Sequence, residues 1–166
     1  MFYAILAVLL VLLDQVVKYL VRAGIPLGGS VPFLPHVLQL TYVQNTGAAF
    51  SLFREHTWLL TLFSAVLVLV VAWLIVRRHI SGRLGVFSAM LIMAGGVGNL
   101  IDRVLFGYVT DMFQTLFMDF PVFNVADCCI TVGVVLLFIY VLFFYDKGKK
   151  KEDARDDAGD LPSDGQ

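Results

Sequence analysis

The sequence predicts a mainly α, polytopic membrane protein with four transmembrane helices, a small extracytoplasmic β-region and a short interfacial loop or helix. Hydrophobic residues make up 59% of its 166 residues and charged residues only 15%, whereas a soluble domain is roughly 45–50% apolar. The mean hydropathy of +0.84 is correspondingly high. Long apolar runs alternate with short polar segments, and residues 57–76 carry no charge at all.

Four apolar segments are long enough to cross a bilayer. They lie at residues 1–20, 57–76, 84–101 and 125–145. A helix of 20 residues is about 30 Å long, which matches the hydrocarbon core of a membrane. We expect one domain over residues 1–146, followed by a charged cytoplasmic tail, 147–166, whose composition is typical of disorder.

A cleaved signal peptide is the alternative interpretation of the first segment. That segment lacks a basic N-terminal region and a clear small-x-small cleavage site. Asp14, Gln15 and Lys18 also interrupt its apolar run. We therefore interpret it as a retained span.

The basic residues predict the orientation of the spans. The connection 77–83 holds three arginines, and the tail begins with the lysine-rich run "DKGKKK". The connections 21–56 and 102–124 hold only three basic residues between them. Because cations favour the cytoplasmic side, both termini are predicted to be cytoplasmic and the two longer connections extracytoplasmic.

The two outer connections differ in composition. Residues 36–53 are β-branched and aromatic with partial alternation, which indicates two short strands or a hairpin. Residues 104–122 are rich in aromatic side chains, which is typical of an interfacial loop or a short amphipathic helix.

Two polar groups lie within the predicted spans. Asp14 and Lys18 are four residues apart, so they share a helical face and can neutralise each other. Asn99, Asp102 and Arg103 also share one face, beside glycines that permit close packing. Either group could be a structural contact between helices or part of a polar site.

Asp127 lies at the start of the fourth span, at the predicted outer boundary of the membrane. Two carboxyl groups placed a few ångströms apart share a proton, so that one can activate water while the other donates a proton. Asp111 is one candidate for the second carboxyl group, but Asp119 is nearer in sequence and Asp102 is also possible. Spacing alone leaves this choice open.

Other kinds of site have less support in the sequence. The adjacent cysteines, Cys128 and Cys129, have neither the spacing of a metal site nor an evident neighbouring base for a thiol nucleophile. We therefore expect no metal and no cofactor. A basic surface for nucleic acid is also absent from the sequence.

Five sequence blocks occur in the order seen in the lipoprotein signal peptidase (signal peptidase II) family, and the chain resembles that family over about residues 10–130. The blocks are "DQVVK" (14–18), "VQNTGAAFS" (43–51), "GNLIDR" (98–103), "GYVTD" (107–111) and "FNVAD" (123–127). The resemblance implies a bacterial inner-membrane aspartyl endopeptidase that removes signal peptides from prolipoproteins, just before the lipid-modified cysteine. It also implies four helices, cytoplasmic termini, a β-cradle and an active site near the outer, periplasmic face.

The resemblance assigns roles to individual positions. The catalytic aspartates of the family correspond to Asp111 and Asp127. Positions that bind substrate or support the site correspond to Asn45, Asn99, Arg103, Asn124, Ala126, Asp14, Lys18 and Asp102. The implied partners are lipid-modified prolipoproteins and membrane lipids, and the antibiotic globomycin is an expected inhibitor.

Three positions depart from the family pattern. The stretch around the first aspartate commonly reads Val-Val-Asp-Phe, whereas this chain has Thr110 before Asp111 and Met112 after it. The residue after the second aspartate is commonly serine and is Cys128 here. These changes bear on rate or substrate preference rather than on the type of reaction.

Two other functions, a transporter and a scaffold protein, have less support in the sequence than a peptidase. A transporter or proton relay needs polar groups spread across the bilayer, but residues 57–76 and the inner halves of the third and fourth spans are apolar. A scaffold protein would use the glycine surfaces and leave the aspartates without a role.

Overall fold

The computed structural model of the chain describes residues 2–47 and 57–145. Its helices are α1 (Phe2–Gly24), α2 (Thr57–Val76), α3 (Gly82–Phe106) and α4 (Val125–Phe143). Its strands are β1 (Ser30–Leu34), β2 (Leu38–Asn45) and β3 (Val109–Thr115). All four helices are long and apolar enough to cross a membrane. The predicted fold class, four spanning helices with a small sheet, is therefore confirmed.

The helices pack so that α1 and α3 run in one direction and α2 and α4 in the other. Gln15 of α1 contacts Gly98 of α3, and Tyr3 packs near Phe87, so these two helices are parallel. Close contacts of Gly95 with Ala126, at one end of α4, and of Gly85 with Tyr140, at the other, make α3 and α4 antiparallel. As a result, the later parts of α1 and α3 meet the start of α4 at one end of the bundle.

The three strands form one antiparallel sheet in the order β1-β2-β3 at that end of the bundle. Leu38 of β2 pairs with Thr115 of β3, and Asn45 pairs with Val109 at the other end of the ladder. The ladder is irregular between Leu40 and Val43. The N–H groups of Met112 and Phe113 donate to the carbonyl of Phe123, which ties the sheet to the segment that leads into α4.

The prediction of a loop or amphipathic helix over residues 104–122 holds for 116–122, which carry no helix or strand, but was wrong for the residues before them. Residues up to Phe106 continue α3, and β3 occupies Val109–Thr115. The hydrogen bonds that make this segment a strand come from β2, about 70 residues earlier, and from Phe123. Local aromatic content could not reveal such distant partners.

The predicted outer β-region is partly displaced in the structure. β2 lies within residues 36–53, but β1 begins at Ser30, before that range. The predicted strand residues 48–53 and the predicted disordered tail, 147–166, lie outside the described residues. The helices α1 and α3 also continue beyond the predicted limits of their spans, to Gly24 and Phe106.

Candidate active site

Asp127 is held at the first turn of α4 by a reciprocal cap. Asn124 is the N-cap residue, and its side-chain oxygen accepts a hydrogen bond from the Asp127 N–H at 2.9 Å. In return, the Asn124 N–H donates to Oδ2 of Asp127 at 3.1 Å. This arrangement satisfies two backbone donors that a helix start leaves open, and it fixes the direction of the carboxylate.

Asp111 lies on β3 and faces the same place. Its Oδ1 accepts a hydrogen bond of 2.6 Å from Nδ2 of Asn124, and its Oδ2 accepts one of 2.8 Å from Nδ2 of Asn45. Burial raises the pKa of Asp111 from its ordinary value to about 7, and the nearby charge of Asp127 adds to the rise. The two amide hydrogen bonds and the positive charge of Lys18 oppose it.

Asn99 of α3 links the two carboxyl groups to each other and to α1. Its Nδ2 donates to Oδ1 of Asp127 at 2.8 Å. Its Oδ1 accepts hydrogen bonds from Nζ of Lys18 at 2.9 Å and from Nδ2 of Asn124 at 3.2 Å. Because an ammonium group can only donate, Lys18 fixes which end of the Asn99 amide faces Asp127.

A buried charge cluster lies beneath these residues. Nζ of Lys18 is 3.0 Å from Oδ2 of Asp14 and 3.5 Å from Oδ2 of Asp102, and all three side chains are inaccessible or nearly so. Oδ1 of Asp14 accepts a hydrogen bond from the backbone N–H of Ala126 at 2.9 Å. The predicted pair of Asp14 and Lys18 therefore connects α1 with both α3 and α4, rather than neutralising itself in isolation.

Arg103 lies at the edge of the site. Its Nη1 donates to Oγ of Ser64 on α2 at 3.3 Å, and its guanidinium group interacts electrostatically with Asp127, Asp111 and Asp102. In the part of the chain described it forms no hydrogen bond with either carboxyl group of the pair, and it lines the same cavity as they do, so its positive charge is available to that cavity.

The two carboxyl groups open into a cavity of about 900 Å³. Its lining includes residues from β2, β3, α3 and α4 together with the segment 119–123. Asp119 belongs to this lining, but no hydrogen bond joins it to Asp111 or Asp127 within the described ranges. Thus the structure brings Asp111, and not Asp119, into the hydrogen-bond network of Asp127. Asp102 is directed to Lys18 and to the backbone of Thr110.

Two residues of the network, Gln15 and Arg22, were not predicted from the sequence. Gln15 donates from Nε2 to Asp14 and to the carbonyl of Gly98, which closes the α1–α3 contact. Arg22 donates to the side chain of Thr110 on β3. Arg22 follows Lys18 by four residues, as Lys18 follows Asp14, so extending that spacing by one turn would have found it.

The arrangement is suited to general acid–base chemistry on a water molecule. Two carboxyl groups share one hydrogen-bond network, one of them has a pKa raised to about 7, and both line a cavity large enough for a peptide segment. No group of three or more metal-binding side chains forms within residues 2–47 and 57–145. Cys128 is exposed at the cavity wall.

Comparisons with known proteins agree with one another. A family model described as Signal peptidase (SPase) II matches residues 6–143. A lipoprotein signal peptidase of Lactococcus lactis subsp. cremoris (strain MG1363) is 44% identical over 133 residues, which cover 80% of this chain and 87% of the relative. A lipoprotein signal peptidase of Enterococcus faecalis (strain ATCC 700802 / V583) is 41% identical over 140 residues, covering 84% and 87%.

Solved structures with the same architecture include two described as bacterial membrane enzymes determined by the in meso method. One, at 2.3 Å resolution, has a TM-score of 0.79 and 29% identity, and the match covers 98% of this chain and 94% of that one. The other, at 1.9 Å resolution, has a TM-score of 0.76 and 33% identity over 85% of this chain and 93% of that one.

Proposed function

The chain belongs to the signal peptidase II family of multi-pass bacterial membrane proteins, which remove signal peptides from prolipoproteins, and we propose that Asp111 and Asp127 carry out the hydrolysis. The observation that carries the proposal is their shared hydrogen-bond network at the cavity wall. Asn124 bonds to Asp111, Asn99 bonds to Asp127, and the two amides bond to each other. The chain is then an aspartic endopeptidase.

The reaction begins with a water molecule between the substrate and the carboxyl pair. Asp127, in its ionised form, accepts a proton from the water as its oxygen attacks the carbonyl carbon of the scissile peptide bond. Asp111, in its protonated form, donates its proton to the carbonyl oxygen. The raised pKa of Asp111, about 7, favours this division of roles near neutral pH, although the proton is shared by the pair.

The tetrahedral intermediate then collapses. The carbon–nitrogen bond breaks, the proton on Asp127 passes to the leaving amine, and Asp111 recovers its proton from the intermediate's hydroxyl group. The products are a signal peptide with a new carboxyl group and a lipoprotein with a free amino group. Atoms and protons therefore balance, and no metal or nucleophilic side chain is needed.

The substrate is proposed to be a prolipoprotein with a diacylglyceryl group on its cysteine, cleaved just before that cysteine. The cavity wall includes Thr131 and Val132, which are exposed on the side of α4. A substrate helix that lies in the bilayer can approach from this side, with its lipid anchor at the membrane boundary. Globomycin is proposed to occupy the same cavity as an inhibitor.

The orientation follows from the distribution of basic residues. The arginine-rich connection between α2 and α3 is proposed to lie in the cytoplasm with both termini. The sheet and the carboxyl pair are at the opposite ends of the helices. The active site is therefore proposed to lie near the outer face of the bacterial inner membrane.

Single substitutions test the carboxyl pair directly. Purified protein in detergent is given a lipidated prolipoprotein, and cleavage is followed for the wild type, Asp111→Asn and Asp127→Asn. Each variant should lose about 1,000-fold or more in kcat, because each removes a group that transfers a proton in the reaction. Asp119→Asn should retain most of the activity, since Asp119 lies outside the hydrogen-bond network.

Near-normal cleavage by a folded Asp111→Asn or Asp127→Asn protein would refute the mechanism. Addition of EDTA provides a separate check and should leave the rate unchanged. A strong loss of activity with EDTA would indicate a metal-dependent reaction instead.

A further inference from the structure

Arg22 makes a connection between α1 and β3 that the proposed reaction does not explain. Its Nη1 donates a hydrogen bond of 2.8 Å to Oγ1 of Thr110. The same nitrogen is 3.6 Å from Oδ1 of Asp102, and the guanidinium carbon lies 4.6 Å from the centre of the Phe106 ring. Three partners from α3 and β3 therefore fix this side chain in one position.

Thr110 is held through both its backbone and its side chain. Its N–H donates to Oδ2 of Asp102 at 2.8 Å, and its hydroxyl group accepts from Arg22. Thr110 is completely buried. A valine side chain has the same shape as threonine but cannot accept the hydrogen bond from Arg22.

The carboxylate group of Asp102 makes a positive charge favourable at the position of the Arg22 side chain. Its Oδ1 is buried and forms no hydrogen bond within the described residues. A buried carboxylate oxygen without a partner is costly. Arg22 places a positive charge beside this oxygen, while Lys18 lies beside the other. The contact with Thr110 then holds Arg22 in that place.

The alternation of side chains along β3 connects this contact to the reaction. Val109 and Asp111 line the cavity, whereas Thr110 and Arg22 do not. Neighbouring strand residues point to opposite sides, so Thr110 faces α1 while Asp111 faces the cavity. A change in the position of Thr110 therefore turns or shifts the carboxyl group that follows it.

We propose that Arg22 and Thr110 act as a positioning pair that holds Asp111 in its reactive orientation from the opposite face of β3. This inference rests on the proposed role of Asp111 in hydrolysis. Neither residue lines the cavity, so the pair acts on the chemical step and not on substrate binding.

The test measures kcat and KM separately with a lipidated prolipoprotein in detergent. Thr110→Val preserves the shape of the side chain and removes its acceptor, and it should lower kcat about 5-fold with KM unchanged. Thr110→Ser keeps the hydroxyl group, so its kcat should lie within about 2-fold of the wild-type value. Arg22→Met should lower kcat about 10-fold, because it also removes the charge beside Asp102.

The double variant tests whether the two residues act as one unit. Arg22→Met with Thr110→Val should lose about as much as Arg22→Met alone, whereas independent effects would multiply to about 50-fold. Thr115→Val and Arg83→Met are matched controls. Thr115 is a threonine of the same strand whose hydroxyl group bonds to an exposed loop carbonyl, and Arg83 is an exposed arginine at the other end of α3.

Unchanged kcat for Thr110→Val, a rise in KM alone, or multiplying losses in the double variant would each overturn the positioning role. If Arg22→Met yields no folded protein, the comparison of Thr110→Val with Thr110→Ser decides the question. Asp111→Asn is assayed alongside. Full activity of that variant would refute the proposed reaction itself, whereas its inactivity beside a fully active Thr110→Val would refute only the positioning pair.

Discussion

The two ends of the contact between α3 and α4 are built on different principles. At one end, Gly85 and Gly133 bring the helices together against Tyr140 and Ile92, and the surrounding cluster is almost entirely apolar. At the other end, Gly98 makes room for the carboxylate of Asp14 on α1, and Asn99 of α3 forms hydrogen bonds with Asp127 and Asn124 at the start of α4.

Because of this difference, we expect substitutions at one end to affect mainly stability and substitutions at the other to affect mainly activity. The apolar end depends on shape, because atoms of the facing helix lie so close to Gly85 and Gly133 that a Cβ would clash with them. The polar end depends on direction, because every amide and carboxyl group there must face one particular partner. Substitutions at the first should lower stability with little effect on kcat, and substitutions at the second should leave a folded protein with a lower kcat.

Asn124 should show the largest effect among the residues that support the carboxyl pair. Asn124→Ala removes the hydrogen bond to Asp111 and the helix cap, so we expect about a 100-fold loss in kcat and a loss of about 1 kcal/mol in stability. Asn124→Ser keeps a capping oxygen but not the amide donor. It should recover most of the stability while the activity remains low, as measured by thermal unfolding and by cleavage of the lipidated substrate. Recovery of activity together with stability would mean that Asn124 acts only as a cap.

Glycine-to-alanine substitutions compare the two ends directly. A Cβ at Gly98 would lie 2.6 Å from Oδ2 of Asp14, so Gly98→Ala should disturb the charge cluster and lower kcat about 10-fold. A Cβ at Gly133 would lie 2.9 Å from the carbonyl oxygen of Ser88 and 3.0 Å from the N of Ile92. Gly133→Ala should therefore lower stability by about 1–2 kcal/mol and leave kcat nearly unchanged.

Gly24→Ala is the matched control for both substitutions, because a Cβ there meets no atom within 4 Å. It should change neither the unfolding midpoint nor the rate. If Gly98→Ala and Gly133→Ala instead had the same balance of effects on kcat and stability, the distinction between the two ends would be wrong.

The pH dependence of the rate tests the polar end more finely. Because the pKa of Asp111 is raised to about 7, kcat should fall as the pH rises through about 7 and Asp111 loses its proton. The hydrogen bond from Asn45 lowers this pKa, so Asn45→Ala should move the fall to higher pH, by up to about one pH unit. Gln39→Ala, on the same strand, should leave the profile unchanged. A shift to lower pH in Asn45→Ala would contradict the assignment.

The same pKa has a defined effect on stability. The pKa of Asp111 in the folded protein lies above its ordinary value of 3.8, so folding favours the protonated group. Its contribution to stability is fully present below about pH 4 and is lost as the pH rises through about 7. Asp111→Asn should therefore make the unfolding midpoint less dependent on pH across this range.

Cys128→Ser should have the smallest effect. The thiol is exposed at the cavity wall and forms no hydrogen bond within the described residues. A hydroxyl group of similar size should change kcat by less than about 2-fold. Loss of turnover in a folded Cys128→Ser protein would support a thiol mechanism and remove the carboxyl pair from the reaction.

The sequence could predict the features that depend on local composition. Long apolar runs identified the four helices, since the energy of burying them in hydrocarbon depends only on their own residues. The spacing of Asp14 and Lys18, and of Asn99 and Asp102, placed these side chains on shared helical faces. The resemblance to a known family then named Asp111 beside Asp127, a choice that spacing had left open.

The tertiary structure alone decided the contacts between distant segments. β3 was predicted as a loop or helix because its hydrogen bonds come from β2 and Phe123, and no local pattern contains them. The four-residue spacing from Lys18 to Arg22 is local, but the partners of Arg22, Thr110 and Asp102, lie about 80 or more residues away along the chain and could not be identified from it. Whether a segment is buried in a membrane can be predicted from the composition of that segment alone. Hydrogen bonds between segments, in contrast, form only when the helices and the sheet have packed together.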